Sequence, residues 1–294
     1  MLNNFKYDLI VCTLNGESFI SAQLKSILTQ SILPQKIIVS DDGSADGTLD
    51  VVQQTFLEAN FTDYEIVQGP KKGVIANFLS ALAYSSADFT FLSDQDDIWH
   101  HEKVVTFSKM AQTQSPDVPT LTFSDARLIN EYNQEITSSF FVYQALTADC
   151  LVDDSILYKN CVQGAACMIN RALRNLALDS LLYINLSELC MHDWWLALLA
   201  RYYGNTQFID LPLLDYRQHS RNQVGVFNYK WRLFRFHAYW KNFQQAIRQV
   251  KMFEQFAKQY GKPHNLLIRS KRQYLSVPKL KRVLLLLFAN KEEK

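Results

Sequence analysis

The first half of the chain alternates short apolar runs with segments whose apolar residues recur every three or four positions. Asp8-Leu9-Ile10-Val11-Cys12-Thr13 is a continuous run that reads as a strand buried on both faces. Phe19, Ile20, Leu24, Ile27 and Leu28 follow at helical spacing, and Pro34 closes that helix. Ile37-Ile38-Val39 is a second strand, after which Asp46 is placed to cap a helix running to about Glu58, with Val51, Val52 and Phe56 facing inward. Tyr64-Glu65-Ile66-Val67 gives a third strand. Gly73 then opens a helix carrying Val74, Phe78, Leu79 and Leu82. Phe89 to Leu92 is a fourth strand, followed by a helix from about Glu102 to Gln112. This order predicts an α/β fold, a parallel sheet with helices on both faces. Ligands of such sheets sit outside the carboxyl ends of the strands.

Past Pro119 the pattern is mixed. Leu121-Thr122-Phe123 reads as a strand ending in Asp125, and the polar, aromatic stretch 126–165 as loops and short elements. Helices are expected at Arg171–Leu182 and His192–Tyr203, with two short strands, Phe208–Leu211 and Leu213–Tyr216, around Pro212. From Tyr229 the chain reads as two long helices broken near Gly261-Lys262-Pro263. No internal repeat is visible.

Two strands end in clustered acids: Ser40-Asp41-Asp42-Gly43-Ser44, and Ser93-Asp94-Gln95-Asp96-Asp97-Ile98-Trp99. Acids repel one another and are poor strand formers, so packing gives no reason for them there. Hard oxygen ligands at the end of a buried strand suit Mg²⁺ or Mn²⁺ beside a phosphate. Taken singly, either cluster could be a solvated turn; together they point to a nucleotide-and-metal site.

Composition adds a polarity that the net charge of +1 conceals. Residues 1–216 hold 12 Lys/Arg against 26 Asp/Glu, whereas residues 217–294 hold 18 against 3. An acidic body and a basic tail for an anionic surface are the expectation. Cys12, Cys150, Cys161, Cys167 and Cys190 show no C-x-x-C or zinc spacing. Their odd number, without a signal-like start, suggests a reducing, cytoplasmic setting. No segment approaches the roughly 20 apolar residues that span a bilayer.

The motifs resemble those of the inverting family-2 glycosyltransferases with the GT-A fold, most closely the bacterial rhamnosyltransferase type. The matching pieces are Thr13-Leu14-Asn15-Gly16, Ser40-Asp41-Asp42-Gly43-Ser44, Asn77-Phe78-Leu79, Leu92 through Trp99, Gln163-Gly164, His192-Asp193-Trp194-Trp195 and Tyr216-Arg217-Gln218-His219. Two departures, Leu14 for a tyrosine and Ala165-Ala166-Cys167 in the small-residue stretch, fall on no expected catalytic group. The resemblance implies a Rossmann-like, mostly parallel sheet flanked by helices and followed by a helical extension. It places a catalytic domain at 1–225, with a nucleotide half to about 125 and an acceptor half beyond, and a basic amphipathic extension at 226–294.

It also assigns roles. Asp193 is the general base that takes the acceptor hydroxyl's proton, although a carboxylate at a helix start is also a plain N-terminal stabiliser. Asp42 meets the donor base, with Thr13, Asn15 and Asp41 lining the same pocket. Asp96 is the first metal ligand, with Asp94 beside it on metal or ribose and His219 on metal or diphosphate. Arg217, Arg221 and Lys72 are candidates for phosphate oxygens, an exposed surface pair being the plainer reading of Lys71-Lys72. Gln163 and Gly164 border the acceptor cleft, and the Trp194 and Trp195 indoles form a floor for a sugar ring or pack in the core. His100 and His101 are expected on an exposed helix start.

The implied reaction is metal-dependent, inverting transfer of a sugar from a nucleotide diphosphate sugar to a growing glycan on a polyprenyl diphosphate. dTDP-rhamnose is the leading donor and UDP-hexoses are the alternative. A non-catalytic carbohydrate-binding protein would have no use for Asp42, Asp96 and Asp193 together. A nucleotidyltransferase would need a Gly-rich basic signature after the first strand, and an aspartyl phosphatase an acid pair there; Thr13-Leu14-Asn15-Gly16-Glu17 supplies neither. In the tail, Trp231, Phe234, Phe243, Phe253 and Phe256 sit among Lys and Arg, and Lys279-Leu280-Lys281-Arg282 leads an apolar run to Phe288. This describes an interfacial helix on the inner face of an anionic membrane, or a helix pair packed on the body or on a second copy in a homodimer. Nucleic acid is disfavoured by the acidic body.

Overall fold

In the computed structural model, which describes residues 5–219 and 236–261 together with Tyr274 and Val277, β1 (Tyr7–Thr13) lies between β2 (Lys36–Asp41) and β4 (Phe89–Asp94), parallel to both. β3 (Tyr64–Gln68) adds a further parallel strand outside β2. Helices α1 (Ile20–Leu28), α2 (Thr48–Glu58), α3 (Val74–Ala81) and α4 (Lys103–Ala111) alternate with these strands as the periodicity predicts. Successive strand residues point to opposite faces, and β1 obeys this closely. Leu9 and Val11 join Ile37, Val39, Leu24, Phe56 and Phe107 on one face, while Ile10 and Cys12 join Ile38, Phe78 and Leu79 on the other. Two cores result, one on each side of the sheet.

The second half extends the same sheet with mixed pairing, in the order β3-β2-β1-β4-β8-β6-β9-β5. β6 (Thr120–Asn130) is much longer than the expected Leu121–Phe123 strand, and β7 (Glu135–Thr137) pairs with its end. α5 (Phe140–Gln144) follows. β8 (Cys167–Asn170), a strand the periodicity does not predict, starts at the end of the small-residue stretch and runs antiparallel between β4 and β6. The two short strands around Pro212 are one continuous β9 (Asn205–Gln218), parallel to β6 with its register shifted at Asp125 opposite Pro212. Proline lacks the N–H a ladder needs, so the chain slips there instead of stopping. β5 (Ile98–Trp99) pairs with β9, fixing the acidic turn 94–97 against the far end of the sheet.

α6 (Arg171–Ser180) and α7 (His192–Tyr203) cover the face that carries Ile10 and Phe78. Asp46 stands one residue before the observed cap position, Gly47, yet its carboxylate still takes the Thr48 N–H at 3.1 Å. α8 (Phe236–Tyr260) corrects the interfacial reading of the tail's first helix. Phe243, Val250, Phe253 and Phe256 are buried against Trp195, Tyr202 and Tyr203, so its apolar stripe belongs to the core. Val277 and Tyr274 pack on the same cluster. Tyr229, Trp231, Phe234, Arg221, the expected boundary at 225/226 and the run Lys279–Phe288 lie outside the described residues. Among the described residues, no helix is long and apolar enough to cross a membrane.

Candidate active site

A cavity of about 520 Å³ opens beyond the carboxyl ends of β1, β2 and β4, and residues from both halves of the chain line it. Thr13, Asn15, Asp42, Asp94 and Asp96 come from the first half; Gln163, Gly164, His192, Asp193 and His219 come from the second.

The nucleotide side is built by turns that hold one another. Asn15, in the left-handed region at φ 52°, accepts the Ala45 N–H on its side-chain oxygen at 2.9 Å, while its own N–H donates to Ser44 Oγ at 2.8 Å. Asp42 accepts the N–H of Lys71 at 2.6 Å and of Gly73 at 2.8 Å, anchoring the turn into α3. Both turn residues have positive φ, 56° and 87°, a conformation glycine adopts freely and lysine does not. Asp41 is turned away from the cavity. Its carboxylate takes the hydroxyls of Thr13 and Ser44 and the N–H groups of Gly43 and Ser44, so it is a brace for the loop and not a wall of the pocket.

In the acidic turn, Gln95 does what its position between two aspartates does not announce. Its amide oxygen accepts the Leu14 N–H at 2.8 Å and its amide nitrogen donates to the Leu14 carbonyl at 3.1 Å, locking the loops after β1 and β4 together. Asp96 Oδ2 lies 2.7 Å from His219 Nε2, and the His219 ring stacks on Phe19 with centroids 4.9 Å apart. Burial, with the charges of Asp96 and Asp193, raises Asp94 to about 8. Asp97 is fully buried and also raised; its Oδ1 accepts the Arg217 N–H at 3.1 Å. Behind the turn lies buried Lys103, lowered by desolvation to about 7. It donates to the Ala165 carbonyl at 3.0 Å and sits 4.3 Å from the Trp99 ring centre.

Asp94, Asp96 and His219 therefore form a crowded, oxygen-rich corner in which Asp94 resists ionisation. Among the described residues, no group of three or more His, Cys, Asp or Glu could hold a metal by itself. A hard divalent ion that keeps water and substrate oxygens among its ligands fits this donor set; one needing a full protein cage does not.

Asp193, 7% exposed, starts the first turn of α7 and faces the cavity. Desolvation raises it to about 7 against the opposing pull of hydrogen bonds from the Trp194 and Gly164 N–H groups and Asn160. Gly164 N–H is 2.9 Å from Oδ2 and Asn160 Nδ2 is 3.1 Å from Oδ1. A carboxylate poised near neutrality at a cavity wall suits a general base.

Among the other expected residues, Arg217 and His100 are corrected, while Lys72 and the tryptophans take the surface and packed readings that stood as their alternatives. Arg217 is not a phosphate arm: buried, it donates to the Asp96 carbonyl at 2.7 Å and to Asn133 Oδ1 at 2.6 Å, and lies over Phe19. Lys72 is exposed outside the cavity. Trp194 donates to the Ile156 carbonyl at 2.6 Å, and fully buried Trp195 to Ser180 Oγ at 2.9 Å, so neither indole floors the cavity. His100 is not simply exposed either; it contacts Asp215 at 2.6 Å, alongside the bidentate Arg127–Asp215 pair. Sequence reasoning missed Gln95, Asn160 and His192. The first was signalled only by its place inside the acid motif, and Asn160 by nothing local.

Residues 8–136 match the family model described as glycosyl transferase family 2. The chain is 29% identical over 228 residues to the dTDP-rhamnosyl transferase RfbG of Shigella flexneri, covering 74% of each chain. It is 28% identical over 181 residues to the UDP-Glc:alpha-D-GlcNAc-diphosphoundecaprenol beta-1,3-glucosyltransferase WfgD of Escherichia coli, covering 59% of this chain and 64% of that one. In structure it is similar to the mannosyltransferase PcManGT of Pyrobaculum calidifontis in complex with GDP-Man and Mn²⁺, with TM-score 0.56, 15% identity and coverage of 90% and 68%. It is also similar to S. aureus TarS in complex with UDP-GlcNAc, with TM-score 0.54, 18% identity and coverage of 76% and 62%. The chain thus spans less than two thirds of the TarS chain it matches. These structures establish a shared GT-A fold.

Proposed function

We propose that the chain is a family-2 glycosyltransferase, as its match to that family model and to RfbG supports, and that it transfers a sugar, L-rhamnose from dTDP-rhamnose as the leading donor, to a growing polyprenyl-diphosphate-linked glycan with inversion. The observation that carries this reading is the convergence of Asp42, Asp94, Asp96 and Asp193, from three separated stretches of chain, on one cavity. RfbG is named for dTDP-rhamnose and WfgD for UDP-glucose and a diphosphoundecaprenol acceptor, which support the donor class and the lipid-linked acceptor.

In this mechanism Asp42, Thr13 and Asn15 hold the nucleoside. Asp94, Asp96 and His219 would hold Mg²⁺ or Mn²⁺, which would supply neutralisation of charge on the departing diphosphate. Asp193, steadied by Gly164 and Asn160, removes the proton of the acceptor hydroxyl as that oxygen attacks the anomeric carbon opposite the leaving group. Gln163 and Gly164 border the acceptor. The basic tail supports a place for the enzyme at the inner membrane surface, where such acceptors reside.

The test is a donor-hydrolysis and transfer screen over dTDP-rhamnose, UDP-glucose, UDP-galactose and UDP-N-acetylhexosamines, each with Mg²⁺, Mn²⁺ or chelator. Turnover with one donor that chelator abolishes is expected. Metal-independent sugar binding without turnover would instead reveal a carbohydrate-binding protein.

A further inference from the structure

Two neutral side chains in the cavity wall have buried polar atoms that no group among the described residues satisfies: Nδ1 and Nε2 of His192, and Oε1 and Nε2 of Gln163. His192 is 2% exposed and Gln163 9%. Such atoms are costly to leave unmet, and native proteins seldom tolerate four together without a ligand or water. The His192 ring is held in place, stacked on Phe78 with centroids 4.0 Å apart and planes 18° from parallel. Burial lowers it to about 3, so it is a neutral imidazole with one donor and one acceptor nitrogen. Glycine at 164 lets the backbone pass close against Nε2. A Cβ there would stand 2.5 Å from Nε2 and 3.5 Å from the Asp193 Cβ.

We propose that His192 and Gln163 bind a hydroxyl group of a sugar ring next to the base, making His192 a specificity-determining residue. This rests on the transfer reading above. A hydroxyl donates one hydrogen bond and accepts others, matching an imidazole and an amide that each offer both functions. A phosphate or carboxylate would find the pair neutral, with acceptor atoms facing it. The donor's sugar and the acceptor's sugar carry the same chemistry, and the assay separates them.

The decisive variant is His192→Phe, which keeps the ring stacked on Phe78 and removes both nitrogens. With the donor found in the screen, hydrolysis in the absence of acceptor and transfer to acceptor are measured separately. A loss of about 10- to 100-fold in kcat/KM, carried by KM, is expected in one of the two. A rise in donor KM during hydrolysis assigns the donor sugar; an unchanged hydrolysis with raised acceptor KM assigns the acceptor. His192→Gln, which retains a donor and an acceptor, should recover much of the loss. Thermal stability of His192→Phe should equal or exceed that of the parent, because two unmet buried atoms are gone. Unchanged kcat/KM in both assays, or lowered stability with unchanged KM, would overturn the proposal in favour of an internal water. If His192→Phe fails to fold, Gln163→Met is read by the same criteria. If the parent itself turns over no nucleotide sugar, it is the transfer reading that fails.

Discussion

Asp193 is subject to opposed influences: desolvation lifts it to about 7, while three hydrogen-bond donors favour its charged form. Below that pH the ligand-free carboxyl holds a proton and cannot accept another, so kcat/KM should climb as pH rises through about 7 and level off above. Stability runs the other way. The unfolded carboxyl ionises near 3.8 while the folded one stays protonated to about 7, so the fold loses stability across that window and little beyond it. Asp193→Asn should therefore lower transfer by about 10²- to 10⁴-fold, leave nucleotide binding intact by calorimetry, and raise Tm at pH 8 by about 2 °C or more. Near-wild-type turnover in this variant would remove Asp193 from the role of base. Gln95→Ala offers a second residue-scale test. It frees both Leu14 backbone groups and should weaken nucleotide binding about tenfold while Asp96 and His219 stay in place.

At the scale of elements, α7 shows why part of the site could be read from sequence and part could not. Consecutive helical residues point about 100° apart, so Asp193, Trp194 and Trp195 cannot share one cavity. The motif identified the helix, but its rotation comes from packing against Phe253 and Phe256 of α8, which lies far away in the chain. Among the first four strands, β1, β2 and β4 were legible because each is apolar on both faces, and the edge strand β3 because Ile66-Val67 stands between turn residues. β8 escaped because four residues amid small side chains carry no periodic signal. Arg217 was misjudged for a similar reason: a cation beside an acid motif looks like a phosphate arm until the backbone of β9 brings it under Asp96. Two predictions follow from these positions. Trp194→Phe should change acceptor KM less than twofold, whereas Arg217→Ala should lower Tm markedly, since it leaves buried carbonyls and Asn133 without their donor.

For the whole molecule, charge is divided along the sequence, with an acidic body to residue 216 and a basic tail after it. α8 belongs structurally to the body. Removing residues 236–294 would expose Trp195 and its aromatic neighbours and should yield aggregated protein. Ending the chain after residue 278, which keeps Tyr274 and Val277 on the core, should leave a folded enzyme. If the remaining basic tail meets the membrane, the full chain will sediment with phosphatidylglycerol vesicles at low salt and be released at 0.5 M NaCl, while the shortened chain stays in solution. Equal sedimentation of the two would exclude the tail as the anchor.

Asn160 and Gly164 reach Asp193 from opposite ends of one short loop whose intervening residues, Cys161 to Gln163, face the cavity. In the proposed mechanism the segment that borders the acceptor is thus the same one that grips the base. Grafting this loop from a relative with another acceptor would transplant rate along with selectivity, so new preferences in such enzymes must arise through changes that keep both ends of the grip.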